Sequence, residues 1–209
     1  MTDPAPTHMA DHWWWRPGWA VGRRFYTWHL TFAGPECADL HRLAAEYRAA
    51  LAPLPGLDLV PDRWLHLTMQ GLGFTDEVDG DDVDAIVEAA APRLAAIPAF
   101  DLGFRRPVIT PEAVQWRVDP AGPRRVRSAV RGAIAQVWRD VPEAAEGFRA
   151  HVSNAYSSSN GPAAPIEQAL ATVDAEPVNV RVTEAQLIVL NRDHRMYEWE
   201  TFAALPLGG

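Results

Sequence analysis

The 209-residue sequence predicts a mixed α+β fold rather than a doubly wound parallel sheet. Segments with the period-two alternation of half-buried strands lie between helical patterns, and several consecutive strands are joined by short turns. Two of the predicted strands, far apart in the chain, carry the same phrase, a histidine followed two residues later by a hydroxyl side chain. The chain therefore divides into two halves, each with strands, a helix and one histidine strand.

The first segment, residues 1–22, is an arm rich in proline, histidine and tryptophan that shows no clean period. We expect it to lie over a single domain formed by residues 23–209 and to bury its tryptophans. An aromatic lid for a nucleotide base is the alternative, because bases stack on indole rings.

The remaining elements follow from apolar periodicity and from glycine and proline at their ends. In chain order the sequence predicts a strand at 24–33, a helix at 36–51, a strand at 64–74, a helix at 82–96, strands at 99–109 and 113–119, a helix from 123 to about 139, a strand at 149–156, a helix at 166–173, and strands at 178–191 and 196–203. The charged connection at 192–195 is a hairpin tip or, alternatively, a loop that contacts substrate.

Composition excludes several kinds of chemistry. All 19 basic residues are arginine, so a nucleotidyl-lysine ligase, a Schiff base and a P-loop lysine are ruled out. Cys37 is the one cysteine, which excludes an intrachain disulfide and a cysteine-based zinc site. The start of the chain does not read as a signal peptide and no apolar run has the length of a membrane span, so we expect a cytoplasmic protein without membrane association.

The two histidine phrases are His66-Leu67-Thr68-Met69 and His151-Val152-Ser153-Asn154. In a strand, His66 and Thr68 share one face, as do His151 and Ser153, while the intervening apolar residues point the other way. Each strand can therefore supply an imidazole and a hydroxyl to the same side of a sheet, and two such strands can supply the two halves of one site.

These phrases resemble the paired His-x-Thr/Ser-x motifs of the 2H phosphoesterase superfamily, which includes 2′-5′ RNA ligases and 2′,3′-cyclic phosphodiesterases. The resemblance extends over residues 24–205, and Asn154 departs from it, since that position is usually apolar in the family. It implies a two-lobed fold in which antiparallel sheets flank a central cleft and helices lie outside. It also implies that His66 and His151 form an acid–base pair, with either histidine as the acid.

Two histidines on opposite sides of a phosphorus atom can open a cyclic phosphodiester without a metal or other cofactor. One takes a proton from the attacking water and the other gives a proton to the leaving ribose oxygen. Thr68 and Ser153 are expected to hydrogen-bond the non-bridging phosphate oxygens. No cluster of histidine and carboxylate residues in the sequence has the pattern of a metal site.

Five further side chains are candidates for substrate contacts. His29 begins a third His-x-Thr phrase and is predicted to lie beside the site or to line the cleft, with catalysis as the less favoured alternative. Gln70 shares the polar face of the first histidine strand. Tyr26, Tyr156 and Trp116 could stack on a base, and core packing is the alternative for each.

The predicted activity is a phosphodiesterase acting on 2′,3′-cyclic or 2′-5′-linked nucleotides or on RNA ends. A reversible 2′-5′ RNA ligase and an inactive binding module of the same fold remain alternatives, whereas an esterase using Ser153 lacks the Gly-x-Ser-x-Gly elbow. Because the net charge is −8, we expect a small nucleotide or an RNA end rather than a long duplex, and a monomeric protein. Arginines in the helix from 123 are predicted to be solvated, with phosphate contacts as the alternative.

Overall fold

The computed structural model describes residues 6–209, so the first five residues of the predicted arm lie outside the described part. Within this range, groups of two or three strands alternate with four α-helices, and residues 10–24 and 138–150 contain neither. In chain order the elements are β1 (His8–Met9), β2 (Phe25–Thr31), α1 (Ala38–Leu51), β3 (Leu57–Leu59), β4 (His66–Phe74), α2 (Gly80–Ala95), β5 (Phe100–Phe104), β6 (Val108–Thr110), β7 (Ala113–Arg117), α3 (Ala121–Val137), β8 (His151–Ser157), β9 (Gly161–Pro162), α4 (Ala164–Ala171), β10 (Val178–Val182), β11 (Glu184–Asn191) and β12 (Glu198–Pro206).

Two four-stranded antiparallel sheets form the centre of the molecule. The strand order is β12-β11-β2-β4 in the first and β3-β8-β7-β6 in the second. Helices α2 and α3 pack on the first sheet, through β12 and β4, while α1 and α4 pack together beside the second. This is the predicted mixed fold of two lobes, each with a histidine strand and an outer pair of helices.

The lobes are not consecutive halves of the chain, which differs from the division that the sequence predicts. The first sheet takes β2 and β4 from the start and β11 and β12 from the end, and the second takes its strands from the middle. The cause is a change of sheet within two predicted strands. The segment 99–109 divides at Pro107 and the segment 178–191 divides at Thr183, because β5 and β10 leave the large sheets and pair with each other.

Local sequence signals explain where the helices begin. Asp79 caps α2 by accepting a hydrogen bond from the backbone N–H of Asp81 at 2.9 Å, which starts the helix two residues before the predicted position. Pro35 opens a short 3₁₀ turn that leads into α1. The apolar faces of these helices bury Leu40, Leu43 and Ile86 in the continuous core between helices and sheets.

Both histidine strands contain a β-bulge directly after the His-x-hydroxyl phrase. The extra residue is Met69 in β4 and Asn154 in β8, so the departure from the family pattern at 154 lies at an irregular position. A bulge shifts the alternation of later side chains by one residue. Tyr156, rather than Ala155, therefore faces the same side of the sheet as Ser153, and Ala155 is buried in the core.

The same shift in β4 brings Gly71 to the face that carries His66. A Cβ atom at this position would lie 2.7 Å from Glu143 Oε1 and 2.9 Å from Phe25 Cε1. The carboxylate cannot withdraw freely, because it accepts a hydrogen bond from the Gly71 N–H at 3.2 Å. A side chain here would have to displace the Phe25 ring and the Glu143 carboxylate, so glycine is favoured for close approach rather than for its backbone conformation.

We predict that Gly71→Ala destabilises the protein by about 1–3 kcal/mol, the usual cost of overpacking a close-packed site. The matched control is Gly80→Ala, because a Cβ at Gly80 meets no atom within 4 Å. Urea unfolding of both variants gives the comparison. Equal stability of Gly71→Ala and the wild type would show that the site between Gly71 and Glu143 accommodates a methyl group without strain.

Candidate active site

A cavity of about 420 Å³ lies between the two sheets and collects most of the predicted site residues. The first sheet contributes His29, His66 and Thr68 to its wall, and the second contributes His151, Ser153 and Tyr156. The two histidine phrases, distant in sequence, therefore face one space. We refer to this cavity as the cleft.

Each motif histidine is oriented by the carbonyl two residues before it, just ahead of its strand. Nδ1 of His66 lies 2.8 Å from the carbonyl oxygen of Trp64, and Nδ1 of His151 lies 2.8 Å from that of Arg149. A carbonyl oxygen only accepts hydrogen bonds, so in both rings Nδ1 must carry the proton. Each neutral ring then holds its lone pair on Nε2, the atom that can take a proton or later return one.

The two rings differ in their surroundings. His66 is 8% exposed, whereas His151 is half-buried. Burial lowers the pKa of His66 to about 4, the bond to the Trp64 carbonyl partly opposes this, and the charge of His151 lowers it further. His66 is therefore neutral at neutral pH.

His29 forms the layer beneath His66. The two imidazoles are stacked with centroids 4.5 Å apart and planes 3° apart, and Nε2 of His29 lies 3.3 Å from Thr68 Oγ1. Burial and the charge of His66 lower the pKa of His29 well below its usual value, so its ring is neutral. If Nε2–H donates to Thr68, the Thr68 hydroxyl keeps its own proton for a ligand in the cleft.

Three predicted contact residues lie outside the cleft. Gln70 is fully buried and donates to the Pro142 carbonyl at 2.7 Å, because the bulge at Met69 turns it away from the face of Thr68. Tyr26 packs against Phe202 on the opposite face of β2 from His29. Trp116 is a core residue whose Nε1–H donates to the Arg105 carbonyl at 2.9 Å.

The cleft also contains residues that the sequence patterns do not single out. Glu112 lies in the turn between β6 and β7, Glu143 lies in the loop between α3 and β8, and Tyr197 immediately precedes β12. His12 and Arg16 come from the arm. All five lie in loops or in the arm, where no period in the sequence predicts which way a side chain points. The only related expectation was that the neighbouring connection at 192–195 could be a loop that contacts substrate.

Two arginines of α3, Arg127 and Arg131, have structural partners, whereas Arg124 and Arg125 are exposed. Arg127 donates to the carbonyls of Met69, Ala145 and Ala144, and Arg131 donates to Gln70 Oε1 at 2.7 Å. These bonds hold the loop between α3 and β8 against β4. The sequence left two alternatives for Arg127 and Arg131, a solvated face or phosphate contacts. In the structure both side chains are instead bonded to the protein itself.

Comparison with known proteins places the chain in a family. The model of the 2′-5′ RNA ligase superfamily matches residues 35–194. A comparison with curated proteins finds no match. The family match confirms the resemblance predicted from the two histidine phrases.

Solved structures share the fold at low sequence identity. TT0787 of Thermus thermophilus is 17% identical with a TM-score of 0.67, over 90% of this chain and 98% of that one. E. coli LigT, crystallised with 3′-AMP, is 17% identical with a TM-score of 0.65, over 90% and 99%. A structure described as a phosphoesterase is 16% identical with a TM-score of 0.62, over 89% and 99%. At these identities the likeness establishes the fold alone.

Neither a metal site nor a membrane span is found among residues 6–209. Within this range, no three or more histidine, cysteine or carboxylate side chains are grouped so that they could hold a metal ion. In the same range, no helix combines the length and apolarity needed to cross a membrane.

The buried histidines predict a loss of stability in acid. His66 and His12 both have pKa values lowered to about 4, so below pH 6.5 the unfolded chain takes up protons that the folded chain does not. The free energy of unfolding should therefore fall as the pH falls from 6.5 towards 4. For His66 alone the loss by pH 5 is about 2 kcal/mol.

Urea unfolding at pH 7 and pH 5 measures this loss. In His66→Gln the difference between the two pH values should be smaller than in the wild type by about 2 kcal/mol. An unchanged difference in this variant would mean that His66 is protonated as easily in the folded protein as in the unfolded chain.

Proposed function

We propose that this chain, which belongs to the 2′-5′ RNA ligase superfamily, is a phosphodiesterase that hydrolyses 2′,3′-cyclic or 2′-5′ phosphodiester bonds by paired-histidine acid–base catalysis. The observation that carries the proposal is the matched orientation of His66 and His151, both with Nδ1–H bound to a carbonyl and both on the wall of one cleft. The phosphodiester chemistry agrees with the family as a whole.

In the proposed reaction the phosphate lies between the two imidazoles. Nε2 of neutral His66 removes a proton from the attacking water as the water oxygen bonds to phosphorus. His151, carrying a proton on Nε2, gives it to the ribose oxygen as the bond from that oxygen to phosphorus breaks. The product is a phosphomonoester beside a free hydroxyl, and proton exchange with solvent restores the two rings.

The assignment of base and acid rests on exposure. His66 is nearly buried and neutral, so its Nε2 lone pair is available. His151 is half-buried and borders solvent, so it can exchange protons with water between the steps. The negative charge of a bound phosphate further favours one cationic ring.

Two hydroxyls are placed to stabilise the phosphate. Thr68 is open to the cleft and is bonded to His29, and Ser153 is buried in the wall beside Tyr156. Each can donate a hydrogen bond to a non-bridging oxygen, an interaction that strengthens as charge develops there. His29 acts in this scheme as a positioning residue for Thr68 and for the ring of His66.

The same two histidines can catalyse the reverse reaction, in which a 5′-hydroxyl is joined to a 2′,3′-cyclic phosphate. The hydroxyl takes the place of water, and a 2′-5′ linkage forms as the 3′-oxygen leaves. The high concentration of water favours hydrolysis, which is why we assign this direction. The E. coli LigT structure with 3′-AMP shows that a protein of this fold binds a mononucleotide phosphate, and we extend that ligand class to this chain.

The test is hydrolysis of 2′,3′-cyclic mononucleotides in excess chelator by the wild type and by histidine variants. We expect turnover by the wild type, and losses of about 10²–10⁴-fold in His66→Ala and in His151→Ala, the contribution of one acid–base group. His29→Ala should lose less than either. His194→Ala is the matched control, because this histidine is exposed and pairs with Glu198 outside the cleft.

Near wild-type turnover in either motif variant would reject the histidine pair. A loss in His29→Ala equal to that of His66→Ala would give His29 a catalytic rather than a positioning role. Activity that disappeared with chelator would reject the metal-independent scheme, and binding without turnover would favour the inactive module.

A further inference from the structure

The N-terminal arm is built into the cleft although it precedes the region matched by the family. We propose that residues 6–22 close one side of the cleft and limit the substrate to a single nucleotide carrying one phosphate, which selects the 2′,3′-cyclic substrates of the proposed function over the 2′-5′-linked ones and excludes oligonucleotide ends. The nature of the reaction rests on the function proposed above, whereas the size limit applies equally to binding.

The arm is attached to the second lobe by its backbone. The N–H of Ala10 donates to the Pro111 carbonyl at 2.7 Å, and the N–H of His12 donates to the Ser157 carbonyl at 2.9 Å. The indole of Trp13 is buried and donates to Asp58 Oδ2 at 2.8 Å. These bonds fix the arm along the side of the second sheet that borders the cleft.

The same arm is attached to the first lobe. Buried Arg192 donates to the His12 carbonyl at 3.2 Å, and its guanidinium lies 5.4 Å from the centroid of Trp13. The N–H of Gly22 donates to Asp193 Oδ1 at 3.0 Å, and Trp19 packs against Phe74. The arm therefore bridges the two lobes, and it is a fixed wall rather than a loose lid.

The wall presents a connected polar cluster to the cleft. His12 is stacked on Tyr156 at 4.4 Å and lies between Glu112, 3.0 Å from Nδ1, and the Tyr197 hydroxyl, 2.9 Å from Nε2. Arg16 donates to Tyr197 at 3.1 Å and to Glu112 at 3.0 Å. A guanidinium has five N–H donors, so Arg16 retains capacity to bind a ligand oxygen.

The size of the cleft favours a single nucleotide over a longer chain. Its volume of about 420 Å³ is near the lower end of the range of about 300–1,000 Å³ found for small-molecule sites. One phosphate lies at the histidines in the proposed complex, whereas the next phosphates of an oligonucleotide would have to pass the arm.

The first test compares ligands that share the same end and differ in length. We predict that kcat/KM for adenosine 2′,3′-cyclic phosphate exceeds that for the cyclic-phosphate-terminated dinucleotide and trinucleotide of adenosine by at least tenfold. Calorimetric titration with 3′-AMP and with the 3′-phosphorylated dinucleotide should show the same order of affinity. Equal or rising values with length would overturn the size limit.

The two readouts separate this inference from the proposed function. Tighter binding of 3′-AMP without turnover of any cyclic phosphate would reject the phosphodiesterase and support the size limit. Turnover that is independent of length would support the phosphodiesterase and reject the size limit. Absence of both binding and turnover would overturn both.

A second test loosens the wall in the full-length protein. Trp13→Ala removes the bond to Asp58, and the mononucleotide-to-dinucleotide ratio of kcat/KM should fall at least threefold. Val21→Ala is the control within the arm, because this side chain is 75% exposed, and it should keep the wild-type ratio. If circular dichroism shows that Trp13→Ala is unfolded, Asp58→Ala tests the same bond from the other side. An unchanged ratio in the folded variant would contradict the role of the arm.

Discussion

The hydrogen bond from each motif histidine to the carbonyl two residues before it is the interaction on which the site depends. It fixes the ring against its own strand, and it places the proton of the neutral imidazole on Nδ1. Because both strands make the same bond, both Nε2 atoms are left for chemistry without any further orienting group. The pair is then differentiated only by environment, since His66 is buried over His29 and His151 is in contact with solvent.

The bulges at Met69 and Asn154 give the two strands a second common feature, with different consequences. After the bulge, β8 presents Tyr156 to the cleft and β4 presents Gly71. The missing side chain at Gly71 leaves room for Glu143, while Tyr156 supports His12 of the arm. Two similar strands thus produce a cleft whose walls differ.

The sequence predicted the fold class and the parts of the site that obey strand alternation. His66, Thr68, His151 and Ser153 share a cleft because alternation holds up to each bulge. It fails beyond them, which is why Gln70 is directed into the protein. The sequence also did not predict that the chain changes sheet at 105–107 and at Thr183, since alternation does not show which strands pair with each other. The contacts of the arm could not be predicted from the sequence, because they are aromatic and long-range and the arm shows no period.

The central claim is that both motif histidines are held as Nδ1–H tautomers with Nε2 free. Long-range ¹H–¹⁵N NMR spectra of the ¹⁵N-histidine-labelled protein measure this directly, with the rings assigned from single His→Gln variants. For His66 at pH 7, and for His151 in its neutral form, we predict a protonated Nδ1 and an unprotonated Nε2. An Nε2–H tautomer in either ring, or averaging between tautomers as in free imidazole, would contradict the arrangement from which the chemistry is derived.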